Sequence, residues 1–432
     1  MTQKVNPRQR WRPAHALCAL LVVGCGPATS AAPKIAPAKV DLLDLAFRLA
    51  ISIEDSEHDE GGAQRAVLKA MVEAGRLDEA LALSHEVAGW HRGVAYAELA
   101  ADLARAGRKE EARDYVRRAE EVRGSISGWQ GPRISVHIGK ALAALGDGAR
   151  AAELLDAAAE GDPGEYAGQA AATLAAARIA SGEFDAAMAT LGRTSEEENF
   201  HNAWWRARGY LDLAGNTKLS QEQRSVALEA ARRSVDATVG MRKLYLMKGI
   251  AAAYHDLGKE DEARETLTLV DGWVLDSAAK RPTGAAPIAD LAKSWHAIGA
   301  TGRARELLAE AEIAVRRAAL IEQPTLYARV ASTYRLIGDG RKAGDLYARA
   351  LDVTEAIGAP RPRALAAVAI CLSLAHDQAP VDTGLQSRLE AIYGGLKEPV
   401  AGDRVTSPVS PAGGDSGAGP ANRAGQDLPG GS

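Results

Sequence analysis

A glycine followed five residues later by an alanine recurs along most of this 432-residue chain. The pair stands at Gly75 and Ala80, Gly107 and Ala112, Gly146 and Ala151, Gly258 and Ala263, and Gly338 and Ala343. With Gly182, Gly215 and Gly299, the marks lie 32, 39, 36, 33, 43, 41 and 39 residues apart. Self-similarity at such a period means stacked supersecondary units, because each unit buries its apolar face only against its neighbours. Every interval has room for two short helices and their turns. The chain is therefore expected to present a long surface, and no single enclosed core.

Composition points the same way. Hydrophobic residues make up 47% but aromatics only 5%, a balance that suits closely packed, small-faced helices better than a sandwich or barrel. An all-α fold is expected. The net charge of −4 is small, and no basic stripe carries interleaved aromatics, so no nucleic-acid partner is expected.

The helical faces can be read directly. Tyr327, Val330, Ala331 and Tyr334 share one face of a helix ending at Gly338, and Ala343, Tyr347 and Ala350 share one face of the next. The same layout recurs as Met247, Ile250, Ala251 and Tyr254 before Gly258, with Ala263 and Leu267 after it. It recurs again as Tyr96, Leu99, Ala100 and Leu103 before Gly107, with Ala112 and Val116 after it, and as Ile138, Gly139 and Leu142 before Gly146, with Ala151 and Leu155 after it. This layout resembles the tetratricopeptide repeat, over roughly residues 60–360. The resemblance implies an α-solenoid of about eight or nine antiparallel helix pairs wound into a superhelix. Most spacings exceed the family's period of about 34 residues and few units carry its closing proline, which implies longer loops.

Local departures refine this picture. Around Gly215 the second helix is expected to begin late, near Gln221. Residues 40–54 read as a helix capping the first unit, and 360–396 as a degenerate last pair. Gly272, Pro282, Gly284 and Pro287 predict an irregular loop, and the acidic run Glu54 to Glu60 a solvated one.

The beginning of the chain reads as a targeting segment. Lys4, Arg8, Arg10 and Arg12 precede an apolar run from Ala14 to Gly24, too short to span a bilayer as a mature helix. Its end, Leu21-Val22-Val23-Gly24-Cys25, resembles the lipobox of bacterial lipoproteins. That resemblance implies cleavage after residue 24, lipidation of Cys25, and an exported chain anchored in a membrane and facing the periplasm. Gly26 is not the Asp of inner-membrane retention, so the outer membrane is the expected site. Residues 25–39 then form a proline-bearing tether, 40–397 the solenoid, and 398–432 a Pro, Gly and Ser-rich tail expected to be disordered. Loss of residues 1–24 makes the net charge −8. Cys371 is left without a disulfide partner in the mature chain and reads as a small buried hydrophobe.

No motif in the chain assigns it a chemistry. His85 and Glu86 precede His91, but the two histidines are six residues apart and do not share a helix face, so no metal site is expected. There is no phosphate-binding glycine loop, no dinucleotide fingerprint and no nucleophile elbow, so neither a cofactor nor a catalytic residue is assigned. Trp90 and Trp129 each stand 17 residues before their glycine and read as packing between units.

The expected site is a groove. In the tetratricopeptide geometry, residues three, six and ten before each marker glycine line the concave face. Counting back yields Lys248, His255, Lys293, His296, Ser332 and Arg335, with Trp205 opening onto the same side. A cationic groove on an acidic protein favours carboxylate-bearing peptides. The expected function is accordingly a lipid-anchored protein-interaction scaffold of the cell envelope that binds acidic peptide segments. The alternatives are the helical domain of an envelope enzyme, or a fixed subunit of an outer-membrane assembly or secretion complex.

Overall fold

Seven of the marker glycines, at 75, 107, 146, 182, 258, 299 and 338, have φ between 73° and 91°, where a side chain is strained. Each ends a helix with the same closing bond, in which the next residue's N–H reaches back five residues. Arg76 N–H donates to Met71 O at 2.8 Å, and Arg108, Asp147, Glu183, Lys259, Ala300 and Asp339 repeat it at 2.9 Å. Gly215 lacks this conformation. Its unit instead restarts through a capping box between Ser220 and Gln223, so its second helix begins at Gln221 as the sequence implied.

The structure is a computed structural model that describes residues 41–54, 56–161, 166–193, 200–280, 284–379 and 381–397. Cys25, the targeting segment, the tether and the tail lie outside the described residues. In chain order the helices are α1 (Leu42–Ile51), α2 (Glu57–Glu73), α3 (Leu77–Leu83), α4 (His91–Arg105), α5 (Lys109–Ser125), α6 (Gln130–Leu145) and α7 (Gly148–Gly161). Then come α8 (Tyr166–Ala180), α9 (Phe184–Gly192), α10 (Phe200–Ala214), α11 (Gln221–Val235), α12 (Gly240–Asp256) and α13 (Glu260–Lys280). The last are α14 (Ala285–Ala297), α15 (Thr301–Arg317), α16 (Gln323–Leu336), α17 (Gly340–Ala356), α18 (Pro360–His376) and α19 (Thr383–Lys397). The described residues contain no strand, and the fold is an all-α solenoid.

From α2 to α17 each even-numbered helix pairs with the odd-numbered helix after it, and successive even-numbered helices pack side by side. Small residues set how closely they approach. A Cβ on Gly139 would stand 2.7 Å from Leu155 Cγ, and one on Gly209 2.5 Å from Leu191 Cδ2. One apolar core cluster runs from Leu43 in α1 to Ile392 in α19.

The solenoid closes on itself. α18 packs against α16 on one side and against α2 on the other, so the even-numbered helices form an unbroken inner ring of nine. α1 is not a cap lying on the first unit alone. It packs along α18, burying Leu43, Leu45, Ala46, Phe47, Leu49 and Ala50. Each large side chain among these contributes about 2 kcal/mol of transfer free energy. Ion pairs show which place α1 takes. Arg108 at the start of α5 reaches back to Asp78 of α3, and Arg76 at the start of α3 reaches back to Asp41 and Asp44 at the start of α1. α1 is thus the outer helix that precedes α3. α19 wedges between α17 and α1, through Arg388 on Asp352 and Glu355 and through Arg48 over the Tyr393 ring.

Two expected loops are helical. Glu57 to Glu60 form the first turn of α2, where acidic side chains face the positive end of the helix dipole and Ser56 caps the turn. Gly272 lies within α13, which runs on to Lys280, Gly284 caps α14 and Pro287 lies within it, while Pro282 lies outside the described residues. Cys371 is fully buried, and burial pushes its thiol up to about 12, so it is a packing residue.

Candidate functional site

The inner face carries charge in two clusters. The first spans α2, α4 and α6, where Arg65, Lys69, Glu73, Glu98, Asp102, Arg105, His137 and Lys140 line a cavity of about 470 Å³. Glu98 stands at its middle, 3.3 Å from Arg65 Nε on one side and 3.4 Å from His137 Nδ1 on the other. Burial raises the Glu98 carboxyl above its usual range, although Arg65 and Lys140 work against that. Burial pushes the His137 imidazole well below its usual value, and Lys140, Arg65 and Arg133 push it further, so it is neutral.

Lys140 has no ion pair or hydrogen bond among the described residues. It faces solvent yet is crowded by protein, and that desolvation lowers its ammonium, with Glu98 and then Asp212 opposing the shift. Asp212 belongs to α10, two inner helices away, so the inner face curves tightly here. Desolvation raises Asp212, and its ion pair with Arg208 at 2.9 Å opposes the rise.

The second cluster spans α12, α14 and α16. Asp290 receives both Lys248 Nζ at 3.4 Å and the Arg329 guanidinium at 2.6 Å. Lys293 lies close enough to weaken the Lys248 charge, and Tyr245 stands beside Arg329 with its ring 4.6 Å from Lys248 Nζ. Lys248 is lowered first by burial, with Asp290 offsetting part of the shift. Two cations thus hold one carboxylate, with a third near Lys248.

Of the residues singled out by sequence, Lys248 and Lys293 come together in this second cluster. His255 sits in the last turn of α12, with Nδ1 2.8 Å from Glu260 Oε1, and His296 in the last turn of α14, with Nδ1 3.0 Å from Thr301 Oγ1. Arg335 donates to the carbonyls of Asp377 and Gln378, and Ser332 donates to Asp377 Oδ1 at 2.7 Å, so both hold the end of α18. Trp205 is half-buried where α8 meets α10, edge-on to Trp204 with ring centres 4.5 Å apart. Trp90 is buried between units with Trp129 edge-on at 5.4 Å, and Trp129 itself is 49% exposed.

Sequence reasoning missed Glu98, His137, Asp290 and Arg329. Each stands nine residues before its marker glycine, at 107, 146, 299 and 338. That position shares a helix face with those six and ten before the mark, and counting it would have found all four. Among the described residues no group of three or more His, Cys, Asp or Glu side chains is placed to hold a metal ion. No described helix is long and apolar enough to cross a membrane.

Residues 142–209 match the tetratricopeptide repeat family. The match runs from the end of α6 into α10, and the chain is tetratricopeptide-like in its repeats and fold. Such repeats generally serve protein–protein interaction without catalysis. A comparison with curated proteins finds no match. Among solved structures, the human IFIT1 dimer with m7Gppp-AAAA is 16% identical, covering 82% of this chain and 85% of that one, with a TM-score of 0.26. Ton1535 from Thermococcus onnurineus NA1 is 14% identical, covering 74% and 94%, with a TM-score of 0.28. A circular tandem repeat protein with novel repeat topology is 15% identical, covering 82% and 94%, with a TM-score of 0.23. At these scores the likenesses add nothing to what the tetratricopeptide-like helices themselves display.

Proposed function

We propose that the chain is an interaction scaffold of the bacterial cell envelope, held on the periplasmic side of the outer membrane by a lipid on Cys25, whose inner face takes an acidic polypeptide segment. The observation that supports this reading is the second cluster, where Lys248 and Arg329 hold the carboxylate of Asp290 and Lys293 lies near Lys248, so cations outnumber the one carboxylate they face. A bound carboxylate joins a site whose cations are already positioned and partly desolvated, which strengthens each contact. Arg335 is engaged in holding α18, so the recognition residues are Lys248, Lys293 and Arg329. The test is capture of a synthetic Glu-rich peptide by the full chain. Lys293→Glu together with Lys248→Glu is expected to abolish capture, and unchanged capture overturns the reading. Lipidation is tested separately, by the mass of the processed N-terminus with and without Cys25→Ser.

A second reading rests on Glu98. An acidic residue raised by burial inside a cavity, beside a neutral histidine, is the equipment an envelope hydrolase needs. Turnover of cell-wall glycans or peptides that is lost in Glu98→Gln supports it, and absence of turnover by the wild-type chain removes it.

A further inference from the structure

Ring closure determines how a polypeptide reaches the inner face. The inner helices follow one another without a break from α2 to α18 and back to α2, and α1 seals the seam from outside. Arg361 of α18 and Asp59 of α2 form an ion pair across that seam. Nine helices at spacings of about 9 Å give a ring roughly 26 Å across between opposite axes, leaving roughly 15 Å between opposite helix surfaces. An extended chain passes through such an opening, whereas a folded domain of about 100 residues, with a radius of gyration near 13 Å, does not.

The inner surface is open to solvent. Lys69 and Arg105 in the first cluster are 71% and 69% exposed, and Tyr245 beside the second is 43% exposed. Lys69 and Arg105 line the cavity shared by the inner helices α2, α4 and α6, and the Tyr245 ring lies 4.6 Å from the Lys248 ammonium. A segment lying against Lys248, Lys293 and Arg329 therefore lies inside a ring whose α18–α2 seam is held shut by packing and an ion pair.

We propose that the partner is an acidic segment with a free terminus, which enters by threading through the ring. This rests on the acidic-segment reading above and adds a topological requirement to it. A side-on groove accepts a segment flanked by folded domains at both ends. A closed ring accepts one only if at least one end is bare.

The probe is a Glu, Gly and Ser peptide of about 40 residues, long enough to leave both ends outside the ring, with biotin at each end. Full-length protein is mixed with the bare peptide, or with the same peptide after streptavidin has capped both ends. Threading gives binding of the bare peptide and at least about a tenfold loss of affinity for the capped one. Streptavidin added after binding is expected to trap the peptide, slowing its release by a similar factor. Equal binding of bare and capped peptide overturns threading and leaves the acidic-segment reading standing. Failure of the bare peptide to bind overturns the acidic-segment reading, and threading with it. In Phe47→Asp, which places a charge in the α1 seam, capped peptide is expected to regain access. The wild-type comparison decides the matter alone if that variant does not fold.

Discussion

Arg361 and Asp59 are paired although 302 residues separate them in the chain. The contact brings the last inner helix against the first. It marks the seam, but the apolar surface that α1 buries against α18 supplies the cohesion.

That division of labour can be measured. Phe47 is 3% exposed, and Phe47→Ala is expected to lower stability by about 3–5 kcal/mol. Arg361→Glu disrupts a partly exposed pair and is expected to cost no more than about 1 kcal/mol. Denaturant unfolding of both variants checks the ranking.

Acid should weaken the fold through His91. Burial, with Arg65, His58 and Arg133 adding to it, holds this imidazole at about 4 against an ordinary 6.5. The unfolded chain takes up the proton near pH 6.5 and the folded chain only near pH 4, so the contribution is complete above 6.5 and is lost as pH falls between the two. His137 is shifted the same way. Melting temperature should fall between pH 7 and pH 4.5, and His91→Asn should show a shallower fall.

Two glycines with opposite surroundings should respond in opposite directions. A Cβ at Gly61 would lie 2.6 Å from the Ala88 carbonyl oxygen, so Gly61→Ala is expected to cost about 1–3 kcal/mol. Gly344, inside α17, has nothing within 4 Å, and Gly344→Ala is expected to stabilise by about 0.5–1 kcal/mol. Thermal unfolding of the two variants is sufficient.

Removing the carboxylate at the centre of the second cluster should separate stability from binding. Asp290→Asn leaves Lys248 and Arg329 unpaired and is expected to cost about 2 kcal/mol, less than a fully buried pair because Arg329 is partly exposed. The same change raises the positive charge of the inner face, so acidic-peptide affinity should rise. Calorimetric titration beside a denaturation curve reads both.

The helix pairs were legible because left-handed helix ends demand glycine, and glycine is visible in a sequence. The rule also shows where reading fails. Gln378 adopts φ 48°, and Ala379 N–H closes back to Leu374 O at 3.0 Å, so an eighth turn of the same kind ends α18 without its marker glycine. Arg335 holds the carbonyls of Asp377 and Gln378 there, a contact between residues more than 40 apart that no local pattern records. Closure was illegible for a related reason. It follows from small rotations accumulated over successive units, so α1 read as a cap and α18 as part of a degenerate pair. In the candidate site, Lys248 and Lys293 were readable as inward cations. Asp290 and Arg329 were not, because their pairing depends on how α12, α14 and α16 turn toward one another.

Threading and the α18–α2 seam both require a closed ring. Asp59→Cys combined with Arg361→Cys, treated with a short bifunctional thiol reagent and then cut by protease between the two sites, tests this directly. A closed ring leaves the fragments joined on a denaturing gel, whereas each single variant, treated alike, releases them. Fragments that separate in the double variant would show that the two ends of the solenoid do not meet, and would contradict both closure and threading.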